Sequence, residues 1–300
     1  MIKRIISFLL TLLIVCSFAS CNQDATNTDE STEVTTKVEE TKSIPIEQTE
    51  TDYIVRTDWM TFYFSKKDFN EADLSGIATE AVSIMYDIRS YLNMNYTLAE
   101  ADESVCYFDS TYRNDEGQRR SMCFWNNREI HCRSLSAFVH EYTHMVSENN
   151  ADLLYHPEKI FIEGLAEYIS LNFYDIIASK EYIHFKAGEF ETSSNASDHQ
   201  MICALLSNNS LPYNAKNYKK AVVAIAHKYF DISQIDKDND FYQYYIGYIF
   251  VNYCIAELGG LERFISAYCD SVTLIDIYGK SLDELVIDAC ANNTAAFYTS

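Results

Sequence analysis

The stretch LSAFVHEYTHMVS, from Leu135 to Ser147, limits what this chain can fold into more than any other. Leu135, Phe138, Val139, Tyr142, Met145 and Val146 recur at helical spacing, and a helix that is apolar around most of its circumference belongs inside a folded domain. The same helix carries His140, Glu141 and His144. Residues four apart share a helical face, so both imidazoles can be aimed at one point, while Glu141 sits about 100° around the axis from His140. A buried polar group left without a partner costs about 1–3 kcal/mol, so the fold must bring something to these nitrogens. Two readings meet that demand: a metal ion held by the pair with a carboxylate base beside it, or histidines hydrogen-bonded within an ordinary core.

A third ligand would separate the two, because catalytic zinc sites use three protein ligands and keep a fourth position open. The segment FIEGLAEY, Phe161 to Tyr168, is the candidate. Glu163 and Glu167 are four apart on a face that otherwise continues into apolar surface, and two acids facing a core need cations. Gly164 and Ala166 are small, which predicts a close approach of this helix to the one bearing His140.

With three prolines and eight glycines in 300 residues, the chain is poor in breakers and should be mostly regular and mainly helical. Residues 1–20 read as a signal peptide: a basic start at Lys3-Arg4, an apolar run from Ile5 to Phe18 that is short for a permanent span, and small Ala19-Ser20. Residues 21–52 read as Cys21 followed by a disordered, acidic, Thr/Glu-rich linker, since almost no large apolar residue offsets the entropy of folding there. Residues 53–133 form an α+β N-terminal lobe, with strands expected at Thr61–Phe64, Val105–Phe108, Met122–Trp125 and Glu129–Cys132 in a small mixed sheet and a helix over Leu74–Leu92. Residues 134–300 form a helical lobe, with helices at 135–147, 157–175, 218–230, 242–258, 261–269 and 281–289 and a stop at Gly259-Gly260. The fold class is α+β, with the histidine helix between the lobes.

Lys and Arg number 23 against 44 Asp and Glu, a net charge of −21. That field repels phosphate backbones and anionic lipid surfaces, which argues against a nucleic-acid partner and a polybasic membrane patch. Phe18-Ala19-Ser20-Cys21 resembles a lipobox, which implies an exported protein tethered to the membrane by a lipid on Cys21 and facing the extracytoplasmic side. The remaining cysteines, at 106, 123, 132, 203, 254, 269 and 290, show no CxxC pair and so no cysteine zinc site. Export permits disulfides; Cys123 with Cys132, flanking a turn at Asn126-Asn127, is the pairing expected, with buried free thiols as the alternative.

His140-Glu141-Tyr142-Thr143-His144, eighteen intervening residues and then Glu163-Gly164-Leu165-Ala166-Glu167-Tyr168 resemble the gluzincin metallopeptidases, with the spacing of the M1 aminopeptidase branch. The resemblance implies a zincin-like metallopeptidase domain, one Zn2+ ion on His140, His144 and Glu163, Glu141 as general base, and Glu167 as the acid that orients a zinc histidine. That branch also places an oxyanion-stabilising tyrosine ahead of a glycine three later, a tyrosine nine later and a Gly-Gly pair. Tyr244, Gly247, Tyr253 and Gly259-Gly260 repeat this pattern, which implies Tyr244, with neighbouring Tyr242, Tyr245 and Tyr248, and more remotely His227, as reserves. The Gly-x-Met-Glu-Asn stretch that anchors a substrate's amino terminus in that branch is missing here, so endo- and exopeptidase action both stay open. The implied activity is hydrolysis of peptide or protein substrates by a membrane-tethered enzyme, with strand Glu129–Cys132 as the sheet edge that would receive an extended peptide. The alternative is a non-catalytic surface lipoprotein, a binding module that retains a peptidase fold.

Overall fold

The computed structural model describes residues 45–95, 104–115, 117, 120–133, 135–178, 220, 236–240, 242–270 and 274–298. The chain divides into two units, Met1–Lys42 and Ser43–Ser300, and every described residue lies in the second. The signal peptide, Cys21, Cys203, His184, His199, His227 and, apart from helical Lys220, the helix expected over 218–230 lie outside the described residues.

Alternation of side chains builds the sheet. Along β3 (Thr61–Ser65), β4 (Val105–Phe108) and β6 (Glu129–Cys132), Phe62, Phe64, Cys106, Phe108, Ile130 and Cys132 face inward and are buried, whereas Tyr63, Tyr107 and His131 face outward and are half-buried. With β1 (Ile46–Gln48), β2 (Asp52–Arg56) and β5 (Met122–Phe124), these strands form a mixed six-stranded sheet in the order β1-β2-β3-β4-β6-β5. β3, β4 and β6 run parallel, and the other pairings are antiparallel. On the outer face the rings of Tyr63, Tyr107 and His131 stack in a row with centroids 4.7 and 4.8 Å apart, and Tyr112 closes the row at 4.2 Å. Glu129 hydrogen-bonds the His131 ring.

Three expectations are corrected at this level. The linker stops short of 52, because Ile46–Gln48 pairs antiparallel with Tyr53–Val55; the neighbouring strand satisfies this backbone, and Glu47 pairs with Arg56 at 3.1 Å. Strand Glu129–Cys132 is interior, hydrogen-bonded on both sides, and the edge is β5. The turn at Trp125–Asn127, completed by Arg128 in the left-handed region at φ 57°, folds β5 back outside it. That hairpin sets Cys123 opposite Ile130, two residues short of Cys132, and both thiols are free. A disulfide needs partners whose Cβ atoms face one another.

The helices cover the inner face. In α1 (Glu71–Leu92), Leu74, Ile77, Ala78, Ala81, Ile84, Met85, Ile88 and Leu92 are buried, the face its spacing predicts, and the helix ends at Asn93 in the left-handed conformation at φ 50°. α2 (Leu135–Glu148) lies beside it, and Phe138, fully buried, meets Phe62, Phe108 and Tyr142 with ring centroids 6.0, 5.9 and 5.6 Å away. α3 (Lys159–Ala178) packs against both α2 and α4 (Gly247–Glu257), the latter preceded by one turn of π-helix at Tyr242–Ile246. α4 stops at Gly259 and Gly260, both at positive φ, and α5 (Gly260–Cys269), α6 (Leu274–Tyr278) and α7 (Leu282–Tyr298) follow. The described residues are thus α+β with seven α-helices, and one apolar cluster runs from Val55 in the sheet to Cys290 in α7.

Phe138 joins the sheet to the histidine helix. Phe138→Ala should lower unfolding free energy by about 3–5 kcal/mol through the transfer and cavity terms of a buried aromatic, measured by urea denaturation at constant m-value.

Candidate metal centre

On α2 the apolar majority turns Phe138, Val139, Tyr142, Met145 and Val146 into the core, which leaves His140 and His144 facing α3. Their side chains are 12% and 11% exposed, and Glu163, which meets them from α3, is 19% exposed. His140 Nε2 lies 3.0 Å from His144 Nε2 and 3.1 Å from Glu163 Oε2, and His144 Nε2 lies 3.3 Å from the same oxygen. Three ligand atoms therefore mark the corners of a nearly equilateral triangle. At metal–ligand distances of about 2.0–2.1 Å, atoms sharing one face of a zinc tetrahedron stand about 3.3 Å apart. A single proton in the triangle can join two of these lone pairs directly, whereas one cation over it accepts all three. The donor set, two imidazoles and a carboxylate, suits zinc.

Glu167, one turn beyond Glu163, lies 3.3 Å from His140 Nδ1 through Oε1. A carboxylate there fixes the tautomer that leaves Nε2 free to bind, and raises its basicity. His144 has no equivalent support: its Nδ1 is buried without a hydrogen-bond partner among the described residues. The electrostatics agree with a site built for positive charge. Burial opposes a charged His140, yet the hydrogen bonds it donates to Glu163 and Glu167 and the charge of Glu141 outweigh it and hold the imidazole well above its ordinary value. Burial also pushes Glu163 up, but His144 and His140 overcome it and keep the carboxylate well below the usual range. Glu141, itself buried, is raised by desolvation, which His140 and His144 offset only in part.

Tyr244 comes from the π-turn. Its ring stacks on the His140 imidazole with centroids 5.6 Å apart and planes 12° from parallel. Burial and then the charge of Glu163 push its phenol well above the ordinary value, so it stays a neutral donor. Of its neighbours Tyr242 and Tyr248 are buried, and Tyr244 stacks on the candidate ligand His140. A π-turn, with its i→i+5 bonding, is a common departure at functional sites. The structure therefore brings together all six of the sequence-derived residues His140, Glu141, His144, Glu163, Glu167 and Tyr244. His131 and His156 are elsewhere: the first is in the outer ring stack, and the second is 61% exposed and 3.3 Å from Glu148.

Gly164 acts differently from the expectation. A Cβ on it would stand 2.6 Å from both the carbonyl carbon and the oxygen of Gly247, and one on Gly247 would stand 2.8 Å from the Ile160 carbonyl. Gly164 itself faces the tyrosine-bearing helix, while α3 also packs against the helix bearing His140, as expected. Glu163, next to Gly164, and Tyr244, three residues before Gly247, flank this backbone crossing. Missed altogether at the sequence level was Arg120, whose charge acts on both Glu141 and Tyr244 and whose Nη2 lies 3.4 Å from Asp240 Oδ2. Its one signal was a cation just ahead of a strand in a strongly acidic chain.

Gly164→Ala should force the crossing apart, because rigid backbone stands on both sides. The expected loss is about 1–3 kcal/mol, seen as a drop of several degrees in Tm; an unchanged Tm would show that the helices separate without cost. Neither a family model nor a curated protein matches the chain, so what the site can do is read from its own residues.

Proposed function

We propose that this chain is a zinc-dependent peptidase, with the ion held by His140, His144 and Glu163. The observation that carries the reading is the triangle of ligand atoms, 3.0 to 3.3 Å on each side, with a buried carboxylate and a neutral phenol next to it. Bound zinc would supply a Lewis acid that polarises a carbonyl and brings a water's pKa to about 7. The chain's own residues would do the rest. Glu141 takes a proton from the attacking water and delivers it to the leaving amine. Tyr244 donates a hydrogen bond to the oxygen on which charge develops, a contact typically contributing about 3 kcal/mol to the transition state. Glu167 keeps the His140 ring in place. An extended peptide would add alongside β5, the edge strand beside α2.

The protein is further proposed to be exported and tethered by a lipid on Cys21. Among the described residues no helix is long and apolar enough to cross a membrane, so in this reading the lipid holds the catalytic unit at the surface while the acidic linker sets its distance.

Zinc added to the chelator-treated protein at a hundredfold excess over Kd should stabilise it by about 2.7 kcal/mol, a rise of roughly 5–10 °C in Tm. His144→Ala should abolish that rise; a protein indifferent to zinc would sink the ligand assignment. With zinc bound, a mixed peptide library should be cleaved in a chelator-sensitive way. Glu141→Gln should retain stoichiometric zinc with turnover lost, and Tyr244→Phe should lower kcat about 10²–10³-fold at unchanged zinc content. Zinc binding without any hydrolysis would favour the non-catalytic binding module instead.

A further inference from the structure

The groups that crowd this site are acidic: Glu141, Glu163 and Glu167 around the ligand atoms, and Asp240 one turn ahead of Tyr244. Arg120 is the exception. It stands two residues before the edge strand β5, and its 3.4 Å contact with Asp240 joins that strand to the start of the π-turn across 120 residues of sequence. The two side chains are 29% and 41% exposed, and an ion pair so open to water contributes little to stability. It does hold the guanidinium in place. The contact engages one terminal nitrogen at long range, whereas a guanidinium offers five N–H donors in a fork that matches a carboxylate in bidentate fashion. Arg120 is thus held where the edge strand, the candidate base and the candidate oxyanion donor meet, with donors to spare among the described residues and partial access to solvent.

We propose that Arg120, held by Asp240, receives a carboxylate of the substrate, so that the site takes peptides with a free C-terminal carboxylate or an acidic side chain close to the scissile bond. The assignment rests on the peptidase reading and narrows it to a substrate class. In a molecule of net charge −21, long-range attraction does not deliver an anionic peptide. The selectivity resides in the contact itself, where a charge-assisted bidentate pair is stronger than a neutral hydrogen bond.

The test uses the full-length, zinc-loaded Glu141→Gln protein, which would bind without turnover, and isothermal titration with three peptides. These are N-acetyl-trialanine with a free carboxylate, its C-terminal amide, and that amide with Asp as the last residue. At least one carboxylate peptide should bind about tenfold or more tightly than the neutral amide; whichever does so identifies the α-carboxylate or the side chain as the source. Arg120→Ala should abolish the preference while zinc content stays stoichiometric. Arg120→Lys, which keeps the charge and loses the fork, should retain only part of it and serves if the alanine variant does not fold. Equal binding of all three peptides, or a preference that survives Arg120→Ala, overturns the assignment and leaves the peptidase reading standing. If the zinc-loaded protein binds none of the three, the peptidase reading fails and the assignment with it.

Discussion

Two imidazole nitrogens and a carboxylate oxygen, each about 3 Å from the other two and largely removed from water, are costly unless positive charge is placed among them. The cost follows from desolvation: groups that water would hydrogen-bond freely must find equivalent partners within the protein. Here each partner is also a candidate metal ligand, and the arrangement is stable only as a set. Remove one corner and the other two are left buried without compensation. Glu167 extends the same logic outward by holding the far nitrogen of His140, whereas the far nitrogen of His144 is buried without such support.

Much of the surrounding fold can be understood as the means of holding that triangle. The inward faces of β3, β4 and β6 present Phe62, Phe108 and their neighbours to α2, and Phe138 fits among these rings, which sets how α2 sits on the sheet. α3 then carries Glu163 against α2, and the Gly164–Gly247 crossing brings the π-turn onto α3 at backbone contact. Close approach matters because Tyr244 must reach the face of the His140 ring, and a side chain at either glycine would hold the helices apart. The outer face of the sheet serves another end: its row of stacked tyrosine and histidine rings places His131 among partners of its own.

Chemistry confined to one helix was legible in the sequence. His140 and His144, like Glu163 and Glu167, are paired by the helical period alone, and the apolar residues between them announce burial; the resemblance to the gluzincin spacing then implied which acid is the third ligand and which supports a histidine. The long helix of Leu74 to Leu92 and the stop at Gly259-Gly260 were readable for the same reason. Features that depend on pairing across the chain were not. Which strand forms the edge depends on how a hairpin folds back, and the Trp125–Asn127 turn put β5 outside rather than β6. Two residues of register separate Cys123 from Cys132. The short strand at Ile46 to Gln48 has too few apolar residues of its own to declare itself, because its backbone is satisfied by β2.

The sequence by itself determined the candidate chemistry: a metal-spaced histidine pair with an adjacent base, an acid pair eighteen residues on, and a tyrosine ahead of a glycine. The histidine and acid pairs follow from local periodicity, which needs no knowledge of what lies elsewhere in the chain, and the tyrosine follows from the resemblance to the gluzincin pattern. Only the tertiary structure decided that Gly164 serves the tyrosine-bearing helix rather than the histidine helix, that Tyr244 stacks on His140, and that Arg120 joins the site through Asp240. The physical reason is that close approach and charge pairing depend on distances between residues far apart in sequence, and those distances are set by how the sheet and helices pack.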